Sequence, residues 1–150
     1  MGNYTLEELN ATNIVAANNL TTKPGQEEFM VPPSYAIADA IPEPATTWFR
    51  VALDGTRVIA FVRANFNPNS NHDEFKSCLW RINVDAAYQG KGVGKFLVDS
   101  VIAEAKARGN QHLNVLWERG DAGPEEFFHH VGFADVGSTA YGEVIGEIKF

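Results

Sequence analysis

The chain has 150 residues, 45% hydrophobic and 21% charged, values ordinary for a globular domain with one core. Nineteen acidic and twelve basic side chains leave a net charge of −7 with no gathered basic patch, which argues against a nucleic-acid partner. No apolar run nears the roughly 20 residues of a membrane span. The single cysteine, Cys78, excludes an internal disulfide and fits a reducing cytoplasm. The acidic start "MGNYTLEELNATN" has no apolar core and does not read as a signal peptide, and Leu6 stands where a myristoylation start has Ser or Thr.

In chain order, "YTLEEL" reads as a first strand. "NATNIVAANNL" reads as a short helix with Asn10 or Thr12 as its cap. "TTKPGQEE" is a loop. "PPSYAIADAI" reads as a second short helix, entered through Pro32 and Pro33 and stopped before Pro42. Three strands follow. "TWFRVAL" ends at the hairpin signal Asp54-Gly55, "RVIAFVRANF" comes next, and the polar loop "NPNSNHDEF" leads into "KSCLWRINVD". The run "VGKFLVDSVIAEAKAR" puts Gly94, Leu97, Val98, Val101, Ile102 and Ala105 on one helical stripe, with Gly109 as the residue that ends it. "HLNVLWE" has strand length and "GPEEFFHHVG" is a short helix. "FADVGSTAYGEVIGEIKF" reads as a closing hairpin turning near Tyr141. The pattern is a mixed α/β domain with antiparallel hairpins at both ends and a strand-helix-strand unit between them.

Between that unit's first strand and its helix lies "AYQGKGVGKFL", three glycines and two lysines within six residues. Such turns also arise only because Gly permits positive φ. Three phosphate loops fail on inspection. A P-loop would need Gly where Gln89 stands and Ser or Thr where Phe96 stands, and dinucleotide or kinase loops would need Gly at Lys95 or Leu97. What remains, Gln89-x-x-Gly92-x-Gly94 opening a helix, is still an anion site. The first helical N–H groups have no internal partner, the helix dipole is positive there, Gly90, Gly92 and Gly94 admit an oxygen to the backbone, and Lys91 and Lys95 add charge.

This motif, after a strand and before an amphipathic helix, resembles the acetyl-CoA pyrophosphate motif of the GNAT acyl-CoA N-acyltransferase superfamily. "LWRINVD" before it, "LNVLWE" after the helix and "FFHHVGF", placed like the superfamily's aromatic-x-x-x-Gly-Phe signature, follow in the same order over nearly all of the chain. "GQEEFMVPPSYAIADA", "GPEEFFHHVGF" and "GEVIGEIKF" are most similar to bacterial spermine/spermidine acetyltransferases and their uncharacterised relatives.

The resemblance implies one GNAT domain over residues 1–150. It implies a mixed central sheet with antiparallel hairpins and a splayed strand pair at a bulge, flanked by about four helices. It implies acetyl-CoA as co-substrate, no metal, and a small cationic amine, polyamine-like, as acceptor; a homodimer is common in similar proteins. By the resemblance Ile82, Asn83 and Val84 line the pantetheine arm, Gln89, Gly90, Lys91, Gly92, Val93, Gly94 and Lys95 hold the pyrophosphate, and Phe128 lies by the thioester.

The sequence departs from the superfamily at two points. Trp80, followed by Arg81, occupies the position of a strand carboxylate, and Phe128 that of the general-acid tyrosine. Glu118, at a strand end, is then the candidate base, with an ordinary strand-end acid as the alternative reading. Glu27, Glu28 and Asp39 are candidates for a polyamine's distal ammonium groups, and Trp80 and Trp117 for flanking the acceptor channel. Tyr35 and Tyr141 are weaker channel candidates. His129 and His130 read as surface partners of Glu125 and Glu126 four residues back, and His72 and His112 show no metal spacing. Acetylation of another amine, whether an antibiotic, an amino acid or a protein N-terminus, and a CoA-binding sensor with little turnover, remain alternatives.

Overall fold

The computed structural model describes residues 3–150; the Met1-Gly2 start lies outside them. The first half is antiparallel. β1 (Tyr4–Glu8) pairs with β2 (Thr47–Asp54), β2 with β3 (Arg57–Phe66), and β3 with β4 (Ser77–Val84). The β2–β3 turn is the expected one, with Gly55 at φ 63°. β4 then runs through α3 (Val93–Ala107) to β5 (His112–Trp117), a parallel crossover. β6 (Ala134–Ser138) and β7 (Val144–Lys149) close the chain as a hairpin, with β7 inserted beside β5, so the strand order is β1-β2-β3-β4-β5-β7-β6. This is the α/β architecture expected from the resemblance, a seven-stranded mixed sheet with one parallel pair.

The short helices α1 (Ile14–Asn18) and α2 (Pro33–Asp39) cover one face of the sheet, where Ala17 and Ala36 pack on Val51, Leu53 and Phe61. α1 is shorter than its sequence run because asparagines compete for its first turn. Asn10 Oδ1 accepts the N–H groups of Thr12 and Asn13, and Asn13 Nδ2 donates to the Glu8 carbonyl. On the other face α3 buries Leu97, Val98, Val101 and Ala105 as its stripe predicts, and adds Val93. Each large aliphatic among them contributes about 1.5–3 kcal/mol by burial. α4 (Glu125–His130) lies on the same side through Phe128, which meets Trp117 at 5.4 Å and Phe133 at 5.6 Å. Among the described residues no helix is long and apolar enough to cross a membrane.

Asp85, at the end of β4, holds the α1–α2 loop to the sheet. It accepts from the Thr21 N–H at 2.8 Å and Thr21 Oγ1 at 2.9 Å, and faces Arg57 at 3.6 Å. Burial alone would raise its pKa, but the hydrogen bonds from Thr21 and Ala87 and the Arg57 charge outweigh burial and hold it below the ordinary carboxylate value. A lowered folded-state pKa contributes stability that is present above the unfolded value and lost as pH falls through the folded one. Asp85→Asn is expected to cost about 1–3 kcal/mol at pH 7. Its deficit against the parent should shrink below about pH 4, as read by denaturant unfolding at both pH values.

Candidate functional site

β4 and β5 pair at only two positions, Cys78↔Asn114 and Leu79↔Val115. The cause lies on β4. Arg63 of β3 pairs with Arg81 and Ala64 with Leu79, so Trp80 is the extra residue of a β-bulge. A bulge bends its strand and breaks the ladder locally. Beyond it the two strands part, and the backbone edge of β4 from Ile82 to Val84 faces a cavity of about 510 Å³ instead of a neighbour. Its lining includes Gln89, Gly90 and Gly94 at the start of α3, Trp80 and Arg81 at and after the bulge, Glu118 at the end of β5, and Glu143. Phe127 and Phe128 of α4 wall it.

The glycine turn leaves its backbone open. Gly90 (φ 76°) and Gly92 (φ 82°) are left-handed, and a Cβ at either would meet no atom within 4 Å, so open space lies against the backbone. No side chain caps α3. Its first N–H groups are therefore available to a ligand. Gly94 has a different reason: a Cβ there would lie 2.8 Å from the Phe127 ring. Val93 offers only backbone, since its side chain is 1% exposed.

Three of the expected cofactor side chains are committed elsewhere. Lys95 Nζ pairs with Asp99 at 2.8 Å, and Lys91 lies 5.4 Å over the Tyr88 ring; neither borders the cavity, whereas Lys23 does. Gln89 exchanges two 2.9 Å amide hydrogen bonds with Gln26 and donates to the Val84 carbonyl at 3.1 Å. Gln26 Oε1 also accepts the Lys23 N–H at 2.9 Å. The glutamine of the motif thus acts as a clasp between the glycine turn and the α1–α2 loop. Gln26→Ala is expected to weaken CoA binding about 3- to 10-fold, the worth of roughly one hydrogen bond. Calorimetric titration measures it; an unchanged affinity would mean that the Val84 carbonyl alone sets the turn.

Of the expected acceptor-side residues, Glu28, Trp80, Trp117 and Glu118 border the cavity and Glu27 does not. Asp39 is engaged by Arg63 and lies instead on an adjoining hollow of about 520 Å³ with Tyr35, Val31 and Arg81. Tyr141 is 93% exposed and away from both cavities. Trp117 is wall, not ligand: it is 3% exposed and its indole N–H donates to Glu125. His129 does not pair with Glu125 as its spacing implies. It bonds Asp135 Oδ1 at 2.7 Å, while Arg119 bridges Glu125 and Asp135. Glu125, His129 and Asp135 could converge on one cation, but Arg119 already neutralises both carboxylates. Cys78 is buried and burial pushes its thiol up to about 12, which leaves no thiolate nucleophile near neutral pH.

Sequence reasoning missed Gln26, Lys23 and Glu143. Nothing local marks them. Glu143 reaches the cavity because β7 inserts beside β5, a fact of strand order and not of spacing.

A family model for the acetyltransferase (GNAT) family matches residues 14–133. The chain belongs to the acetyltransferase (GNAT) family. No curated protein matches this GNAT chain in sequence. Among solved structures, PaiA N-acetyltransferase of Thermoplasma acidophilum in complex with coenzyme A is similar, with a TM-score of 0.72 at 16% identity, covering 99% of each chain. The ribosomal-protein-S18-alanine N-acetyltransferase of Escherichia coli has a TM-score of 0.69 at 20% identity, covering 97% of this chain and 93% of that one. A GNAT family acetyltransferase of Elizabethkingia anophelis with acetyl-CoA bound has a TM-score of 0.68 at 15% identity, covering 99% of each chain. At these identities the likeness is one of fold.

Proposed function

We propose that the protein is an acetyl-CoA-dependent N-acetyltransferase that acetylates a primary amine by direct attack. The observation that carries this reading is the continuous cavity that opens where the Trp80 bulge parts β4 from β5 and that ends at the uncapped start of α3. The Thermoplasma and Elizabethkingia neighbours, solved with coenzyme A and acetyl-CoA respectively, support the choice of co-substrate.

The residues fit that molecule. The free N–H groups of α3 and the open space at Gly90 and Gly92 suit a pyrophosphate. The unpaired edge of β4 suits the amides of the pantetheine arm, and its N–H groups can donate to a thioester oxygen as charge develops there. When bound, acetyl-CoA supplies an activated acetyl group whose thiolate, with a pKa near 8.5, leaves readily. That property makes the absence of a tyrosine at Phe128 tolerable.

The amine enters from the far end. An alkyl ammonium titrates near 10.4, so presenting it neutral at pH 7 costs about 4–5 kcal/mol. Three carboxylates, Glu28, Glu118 and Glu143, border the cavity to draw it in. Glu118, at the end of β5, takes the proton through water. Of the three carboxylates expected to hold a polyamine's distal ammonium groups, Glu28 borders the cavity and Glu27 and Asp39 do not. Incubation with acetyl-CoA and a mixture of primary amines, followed by intact mass, tests the activity. A gain of one acetyl group by an amine is expected. Acetyl-CoA binding without any transfer would leave a sensor domain in its place.

A further inference from the structure

At the acceptor end of the cavity stands a cation that the superfamily pattern does not require. Arg81 follows the bulge residue and borders both the main cavity and the adjoining hollow. Its guanidinium is held in place by its own bond to the Trp80 carbonyl at 3.1 Å and lies 5.8 Å from the Trp80 ring centroid. Arg81 forms no ion pair among the described residues, whereas the other arginine that touches this ring is paired with Asp39. That second guanidinium, of Arg63, lies 5.3 Å from the Trp80 ring, is nearly buried, and spends its donors on the Ala36 carbonyl, Asn65 and Asp39. Two cations therefore flank Trp80, and one carboxylate, Asp39, serves only the buried one.

Glu143 lines the same cavity with the opposite charge. Its Oε1 accepts from Thr139 Oγ1 at 3.5 Å, and it forms no ion pair with Arg81 among the described residues. A guanidinium and a carboxylate that line one cavity without pairing offer a donor fork and an acceptor to a ligand. A group with a carboxylate at one end and an ammonium at the other matches both charges. A polyamine would match Glu143 and set a cation against Arg81.

We propose that the acceptor is an amine that also carries a carboxylate, a small amino acid, with its carboxylate on Arg81 and its ammonium toward Glu143. This assignment rests on the acetyltransferase reading and narrows its acceptor. Arg81 is then a specificity residue: it holds the acceptor and takes no part in proton transfer.

The test compares matched pairs, alanine with alaninamide, leucine with leucinamide, and 4-aminobutyrate with its amide, with spermidine alongside. Each is titrated calorimetrically into the CoA-loaded protein and assayed for kcat/KM with acetyl-CoA, in the parent, Arg81→Gln and Arg81→Lys. Taking the acid-to-amide ratio in the parent over that in the variant cancels the differing amine pKa values. In at least one pair the acid is expected to win by about 10- to 100-fold, the worth of a charge-assisted contact. That preference should fall to near unity in Arg81→Gln and survive in part in Arg81→Lys. An acid-to-amide ratio that is the same in the parent and Arg81→Gln for every pair, or spermidine preferred over every acid, would overturn the assignment. Arg81 is exposed, and an unchanged thermal midpoint shows that its variants fold. If no amine is acetylated while CoA still binds, the acetyltransferase reading fails, and the calorimetric acid-to-amide ratio still decides the role of Arg81 separately.

Discussion

Gly92→Asp is expected to abolish coenzyme A binding, by more than about 100-fold, while the protein stays folded. The two effects separate on physical grounds. Gly92 has φ 82°, and an L-residue there costs about 1–2 kcal/mol. Its Cβ would meet no atom within 4 Å, so no clash adds to that strain. A carboxylate at the start of α3 returns about 0.3–1 kcal/mol through the helix dipole. The net cost to folding is therefore small. A pyrophosphate at the same place would face an anion where it needs bare N–H groups. Gly92→Ala carries the strain and not the charge, and should keep most of the affinity. Calorimetric titration of both variants with CoA checks this. Equal affinity of Gly92→Asp and the parent would remove the pyrophosphate from this turn.

Element order, the two hairpins and the β4–α3–β5 crossover were legible because each rests on local signals: Asp54-Gly55 at one turn, a stripe from Leu97 to Ala105, Gly109 at its end. The lengths of the short helices were not. In α1 the competition is between asparagine side chains and the helix itself, and which wins depends on the Glu8 carbonyl being at hand. The left-handed turn and the uncapped helix start were legible because they are backbone properties that the glycines report directly. The side chains around them were not. Lys95 finds Asp99 one helical turn on, and Gln89 finds Gln26 across 63 residues of sequence.

The acceptor end was the least legible part, for the same reason in stronger form. Its charged groups come from the α1–α2 loop, from β4, from the end of β5 and from the β6–β7 turn, four segments that only the sheet order brings together. The resemblance implied a cationic acceptor, but not which side chains would meet it: Arg81 lines the cavity, and Asp39 is drawn to the buried Arg63. Of the two departures from the superfamily that the sequence exposed, Trp80 in place of a carboxylate falls on the residue that forms the bulge.

Removing Trp80 from the chain is accordingly expected to close the site, whereas Trp80→Ala is not. Deletion leaves Leu79 opposite Ala64 and the present Arg81 opposite Arg63 with nothing between them, a continuous antiparallel register. Inward and outward side chains keep their faces, because a bulge holds one residue out of the alternation. The straightened β4 can then continue its pairing with β5 past Leu79↔Val115, and the backbone edge from Ile82 to Val84 finds a strand partner in place of a ligand. Lost contacts of Trp80 with Phe75, at 5.6 Å, and with Arg63 cost stability, which the new ladder hydrogen bonds offset in part. Each such bond is worth about 0.5–1.5 kcal/mol net. Trp80→Ala keeps the extra residue, hence the bend and the gap. The expected result is cooperative thermal unfolding in both variants, CoA affinity within about 3-fold of the parent in Trp80→Ala, a change below 1 kcal/mol, and a loss beyond about 100-fold in the deletion. CoA bound equally well by the deletion variant would show that the parting of β4 and β5 is imposed by α3 and α4 packing on the sheet, and not by the bulge.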